Sequence, residues 1–388
     1  MNPSAWKTKL TLLLVSCLTI MSIITISPAL PDMVEAFKGE KNADIIVKLI
    51  LTIPALFIAL MAPFAGKWID KYGRLKFLWV SMIVYGIAGA SGFLLNNLWM
   101  ILLSRAVLGM AVGMSMTIVV TLVADYYEGM ERQKFIGLQM AFMSLGGILF
   151  IGMGGILADI GWRFPFLLYL LSLILLPLAF VFLQEPVLKK TETQHSILVE
   201  SPKIIWLLFI NIMVIWILFF LIPTQIPFHL NDIGVNRNAL IGGAIALSTA
   251  SAAVSSILYS KIKGRFNFLS IFSLGYFLMA IGFFLVSEST TYLMVACAMI
   301  VSGLGVGIML PNTNLWVMKL APPEIRGKEI GKLTMFWFFG QFISPILLLP
   351  ITNHYDLPIT FQIMAFIMLG LSTAAFILTR IPKIAAFQ

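Results

Sequence analysis

Few residues in this chain can do chemistry, and one stretch gathers several of them. Gly66-Lys67-Trp68-Ile69-Asp70-Lys71-Tyr72-Gly73-Arg74 sets one carboxylate among Lys67, Lys71, Arg74 and nearby Lys76. Asp70 closes an apolar run, where the helix dipole is negative and an acid is disfavoured, so it is expected to seek a partner elsewhere. Gly66 and Gly73 are expected to turn the backbone at the two ends of the loop. Asp32 follows Pro28 and Pro31. A carboxyl there that moves between water and a drier setting gains and loses a proton, although a solvated acid beside Glu35 is the alternative reading. Arg105 lies ~12 Å inside another apolar run at 1.5 Å rise per residue, too deep for easy snorkelling, so it should face a cavity or a partner. It would compete with the proton for Asp32, directly or through water, and Asp125 is the second acid that could carry a proton.

A further set is neutral. Gln225, Asn312, Asn314, Trp316, Trp337 and Gln341 fall inside apolar runs of the second half of the chain, and Met114 and Met143 inside those of the first. A buried amide costs a few kcal/mol unless paired, so such groups bind a neighbouring helix or a ligand. Methionine adapts to shape and aromatic faces attract cations, which suits a small apolar or aromatic substrate. These eight are the candidate substrate contacts. His195, His229 and His354 are isolated from any buried nucleophile, paired-carboxylate site or His/Asp/Glu cluster, and Cys17 and Cys297 lie within apolar runs. An enzyme, a metal site and a bound cofactor are therefore not expected.

The elements that must position these groups cross a membrane. Of 388 residues 60% are hydrophobic and 11% charged, far from soluble composition. Apolar runs at 10–30, 46–65, 76–94, 97–122, 135–157, 164–183, 204–228, 239–259, 268–286, 291–317, 333–352 and 359–379 are continuous rather than alternating, which predicts twelve helical spans and an all-α integral membrane protein. The first run lacks a small-x-small cleavage site and is expected to be retained. Of the 26 Lys and Arg, all but Lys38, Lys41, Lys48, Arg105, Arg163 and Arg237 fall in alternate loops, placing both termini in the cytoplasm of a cell membrane. The net charge of +9 follows from that orientation, since no aromatic-flanked basic cluster suggests nucleic acid.

Residues 185–203 form the longest polar interruption and divide the spans into halves at 1–184 and 204–388. Gly109 and Gly113 recur as Gly303 and Gly307, Arg132 as Arg326 and Gly137 as Gly331, each 194 residues on, while Gly73-Arg74 recurs as Gly264-Arg265. That is the pattern of a duplicated transporter. Asp70 has no counterpart, which suits a latch between halves. The cytoplasmic start of span eleven, with Lys328 and Lys332, is the expected partner for Asp70.

The spacing of Gly66, Asp70, Gly73, Arg74 and Lys76 resembles the loop between spans two and three of the major facilitator superfamily, with Trp68 and Leu75 as departures. The resemblance implies two pseudo-symmetric six-helix halves and a gating role for that loop. Arg105, Gly109 and Gly113 resemble the family's span-four motif, found most often in proton-coupled members. Gly146-Gly147 to Gly154-Gly155 resembles in part its antiporter motif, but Phe150 and Ile151 stand where Gly-Pro is usual. The expected function is proton-coupled export of small amphipathic molecules by a monomer in the bilayer, through alternating access. The alternative is an importer or uniporter of a small metabolite.

Overall fold

The computed structural model describes residues 5–186, 201–352 and 354–381, with Asp70 described by its backbone alone. Among these residues the chain is helical throughout, and twelve helices are long and apolar enough to cross a membrane. It is a multi-pass membrane protein of the all-α class. The chain folds as two compact units, Met1–Ile197 and Leu198–Gln388. Most of the expected linker, 187–200, lies outside the described residues.

Unit one holds spans one to six: Trp6–Ala36, Ala43–Ile69, Leu75–Phe93, Leu98–Tyr126, Gly129–Ile160 and Phe164–Phe182. Unit two holds spans seven to twelve: Ile204–Asp232, Asn238–Lys263, Phe268–Ser287, Tyr292–Leu320, Arg326–Thr352 and Leu357–Leu378. Two expected boundaries shift. The helix of span two runs on to Tyr72, so Gly66 is helical and only Gly73, at φ 92°, turns the chain. Nothing lies within 4 Å of a Cβ placed on Gly66, so glycine is not required there. The helix of span eleven begins at Arg326, which puts Lys328 and Lys332 inside its first turns rather than ahead of it.

Span one breaks where its prolines predict. Its main helix ends at Ile24, a 3-10 turn covers Ser27–Ala29, and a short helix Leu30–Ala36 resumes. Pro28 and Pro31 cannot donate to the preceding turn, which interrupts the ladder. Span five closes on that break: a Cβ on Gly154 would overlap the Thr25 carbonyl oxygen.

The sequence repeat has a packing counterpart. Added Cβ atoms on Gly109 and Gly113 would meet the carbonyl oxygens of Pro54 at 2.5 Å and Ile58 at 3.0 Å. On Gly303 and Gly307 they would overlap those of Ser248 and Ala252. Spans four and two, and spans ten and eight, thus approach backbone to backbone, as small residues permit in lipid. Arg132 and Arg326 also match: Arg132 Nε donates to the Tyr127 carbonyl at 2.9 Å and Arg326 Nε to the Ala321 carbonyl at 3.1 Å. Each satisfies carbonyls left open at the end of the preceding span.

Candidate functional site

In unit one the site centres on Arg105. Span six opens with a 3-10 run, Phe164–Leu170, whose three-residue turn puts Phe166 and Tyr169 on one face. Both rings lie against span three where it has glycine: a Cβ on Gly89 would overlap Tyr169 Cβ, and one on Gly92 would overlap the Phe166 ring. The Arg105 guanidinium lies 4.6 Å from the Phe166 centroid and 4.5 Å from that of Tyr169. Its Nη2 donates to the Gly89 carbonyl at 2.5 Å. Arg105 is fully buried, and its Nε and Nη1 have no hydrogen-bond partner among the described residues. Tyr85 beside it donates to the Leu18 carbonyl at 2.7 Å, tying the cluster to span one.

Arg105 meets a carbonyl and two rings, and these are its described contacts. Asp32 is half-buried in the first turn of Leu30–Ala36, where an acid complements the helix dipole. The sequence-based set of site residues omits the aromatic partners of Arg105. The i, i+3 spacing of Phe166 and Tyr169, with glycines facing them, is the signal that could have found them.

The span two–three loop is organised by acids distant in sequence. Arg74 Nε lies 2.7 Å from Asp125 Oδ2, with the arginine side chain 8% exposed. Glu185, just past span six, accepts from the backbone N–H of Arg74 at 2.6 Å and of Leu75 at 2.8 Å. Its carboxylate thereby caps the start of span three. The expected role of Asp70 rests on a side chain outside the described residues. Of its expected partners, Lys332 is bound within its own unit, to Glu329 Oε1 at 2.9 Å, and Glu329 also accepts from Ser201 at 2.8 Å. Lys328 is exposed. Glu329 sits at i, i+3 from Lys332, a pairing that helical spacing alone makes legible.

In unit two the expected substrate contacts fall into two groups. Asn312 is spent on packing: its Oδ1 accepts from Tyr259 at 3.2 Å and its Nδ2 donates to the Phe268 carbonyl at 2.9 Å. Asn314 donates to Leu310 of its own helix at 3.2 Å, and Trp316 stacks on Phe268 with centroids 5.0 Å apart. The others keep open polar atoms. Gln225 and Gln341 are buried, and the Oε1 of each has no partner among the described residues. Trp337 stacks on Trp216 at 4.4 Å, and neither indole N–H has a partner there. Spans seven and eleven pack closely below Gln225 and around Gln341 and Trp337, since a Cβ on Gly340 would meet the Met213 carbonyl at 2.6 Å and Ser344 donates to the Ile217 carbonyl at 2.7 Å. Met114 is buried and Met143 half-buried in unit one. Uncharged acceptors and donors on aromatic walls can hold a neutral or cationic organic molecule, and no catalytic nucleophile–base pair accompanies them among the described residues.

Known proteins share both the sequence pattern and the fold. The profile of the Major Facilitator Superfamily matches residues 12–345. The chain is similar to the quinolone resistance protein NorA of Staphylococcus aureus (strain MSSA476), 23% identical over 383 residues and covering 94% of each chain. It is similar to the multidrug resistance protein MdtG of Enterobacter lignolyticus (strain SCF1), 25% identical over 393 residues, covering 95% of this chain and 91% of that one. A D-xylose-proton symporter structure shares its fold with a TM-score of 0.73 at 14% identity, covering 96% of this chain and 97% of that one.

Proposed function

The chain belongs to the Major Facilitator Superfamily, and from that premise we propose that it expels small amphipathic organic molecules by proton-coupled alternating access. As a member of that family it is a transporter and not an enzyme. Export is supported by likeness to NorA and MdtG over nearly the whole chain, both named for drug resistance. Proton coupling is supported by one observation above the rest: Arg105, fully buried, with two guanidinium nitrogens left open among the described residues. A buried cation of this kind stabilises a nearby anion and releases its hold when that anion is protonated.

In the mechanism proposed, Asp32 takes and gives the proton at the broken outer end of span one. Arg105 then stabilises negative charge left in unit one, on Asp32 through water or on the substrate. Substrate is held by the open atoms of Gln225, Gln341 and Trp337, with Met114 and Met143 as adaptable apolar contacts, while Asn312, Asn314 and Trp316 support the helix that faces it. Gly66, Asp70, Gly73, Arg74, Lys328 and Lys332 belong to gating, with Arg74 acting through Asp125. Both termini are placed in the cytoplasm.

Everted membrane vesicles supply the test. Given a proton gradient, they are expected to accumulate a lipophilic cationic dye, and an uncoupler should abolish the accumulation. Phe150 and Ile151, where Gly-Pro is usual, favour the second reading of an importer or uniporter. Dye movement in the opposite sense, or movement indifferent to the uncoupler, would put that reading first.

A further inference from the structure

Span seven is broken as span one is. Its main helix covers Ile204–Phe219 and a second helix, Leu221–Asp232, follows the break at Phe220. His229 lies in the last turn of that second helix. The spacing of 194 carries Glu35 onto His229, and Glu35 shares the helix Leu30–Ala36 with Asp32. Both units thus carry a titratable side chain beyond the break of their first span. The settings differ: Asp32 is half-buried and Glu35 exposed, whereas His229 is 1% exposed.

Hydrogen-bond accounting fixes the state of the ring. Ser289 Oγ lies 2.8 Å from His229 Nε2, and the same hydroxyl donates to the Val286 carbonyl at 2.7 Å. A hydroxyl has one hydrogen to give, so towards the ring it accepts, and Nε2 carries the proton. The neutral ring keeps a lone pair on Nδ1, which is buried and has no hydrogen-bond partner among the described residues. Phe361 meets the imidazole edge-on with centroids 5.7 Å apart, and Phe283 meets Phe361 in turn at 5.6 Å. His229 therefore ties span seven to the end of span nine and the start of span twelve. Asp232, exposed one turn further along, is the carboxylate whose field reaches the ring. On the neighbouring elements Arg237, Glu288, His354, Tyr355 and Asp356 are exposed and Tyr292 is half-buried, and span eleven carries no charged residue from Gln341 to Thr352.

We infer that Nδ1 of His229 is a proton-binding site, and that a proton taken up there opens the contact among spans seven, nine and twelve at this end of unit two. A proton on Nδ1 creates a second N–H and a full positive charge, and the packed arrangement offers neither an acceptor. Opening admits water to the ring, which lies only ~4.5 Å from the helix end at 1.5 Å rise per residue. Once wet, the imidazolium is favoured by the C-terminal end of its helix and by Asp232 three residues on. The packed state binds fewer protons than the opened one, so the contact holds at high pH and weakens as pH falls through the imidazole range. The inference draws on unit two alone and not on substrate, direction or the role proposed for Asp32, so it holds or fails separately from the transport reading.

The test uses full-length protein in phosphatidylcholine bilayers. The pair His195→Gln and His354→Gln leaves His229 as the sole imidazole, and nitrogen NMR of labelled histidine then reads its tautomer without touching the site. At about pH 8 the Nε2–H tautomer is expected, and at about pH 5.5 the doubly protonated ring. Over the same interval amide protection across residues 221–232 and 284–291, corrected for the intrinsic pH dependence of exchange, should fall by on the order of tenfold. His229→Gln places an amide nitrogen where Nε2 stood, so it can keep the bond to Ser289 but takes up no proton, and its protection should stay constant. An Nδ1–H tautomer at the higher pH, a ring still neutral at the lower one, or protonation with protection unchanged would overturn the inference. So would an equal fall in the His229→Gln protein. If that variant does not fold, the protein with His229 as its sole histidine decides the matter by itself.

Discussion

Arg105 is costly to bury and would be expected to unfold its surroundings unless its contacts were arranged in advance. Gly89 and Gly92 do that arranging, because only a missing Cβ lets Tyr169 and Phe166 reach both the helix of span three and the guanidinium. Asp32→Asn is expected to abolish uphill, uncoupler-sensitive transport while preserving downhill exchange, whereas Arg105→Ala impairs both. Tracer exchange in proteoliposomes, with and without an imposed proton gradient, reads the two apart, and uphill transport by the Asp32 variant would move the coupling role to Asp125. Separately, Gly89→Ala is expected to destabilise unit one by about 1–3 kcal/mol, the scale of overpacking a filled interior. A lowered unfolding temperature in detergent would record it, and an unchanged one would mean that the aromatic pair can shift freely.

Elements in this protein are paired by absent side chains and stopped by remote ones. Span five meets the break of span one at Gly154, while Gly152, two residues away, has nothing within 4 Å of its would-be Cβ. Gly154→Ala should therefore lower the unfolding temperature and impair transport, whereas Gly152→Ala should do neither. Similar effects from both would show that the break in span one is soft. At the start of span three the cap is Glu185, which is exposed, so its contribution is modest. Glu185→Gln is expected to cost about 1 kcal/mol, the usual scale of a lost N-cap. Loss of hydrogen-exchange protection at the first turn of span three would be the measurement. Protection equal to wild type would assign the cap to water.

Across the whole molecule the alternation of basic loops argues for one orientation in the bilayer. With both termini cytoplasmic, single cysteines at Lys76 and Lys328 should react with a membrane-impermeant maleimide only in everted vesicles. Cysteines at Asn96 and Asn236 should react only in intact cells, all in a background lacking Cys17 and Cys297. The reverse pattern would invert the orientation. The two units share glycine contacts and end-capping arginines at one spacing, so their scaffolds are equivalent. Their charges are not equivalent: acids close the span two–three junction in one, and lysines crowd the matching place in the other.

The sequence by itself determined the twelve helices, the alternation of charged loops, the break of span one at its prolines and the repeated glycines. Each of these is local or periodic: a run long enough to span lipid, a ring that cannot donate, a spacing of 194. It also located Arg105 as a cation too deep for water. Only the tertiary structure decided which neighbour each polar group would meet. Asn312 was turned to helix packing and Gln225 and Gln341 left open, because a partner 44 or more residues away, such as Phe268 or Tyr259, is set by how helices cross rather than by spacing along one of them. Arg105 met the rings of Phe166 and Tyr169, and Glu329 and Lys332 both met Ser201, for the same reason. In a chain this apolar, periodicity fixes where each helix runs, and the pairing of its few polar atoms is settled when neighbouring helices close around them.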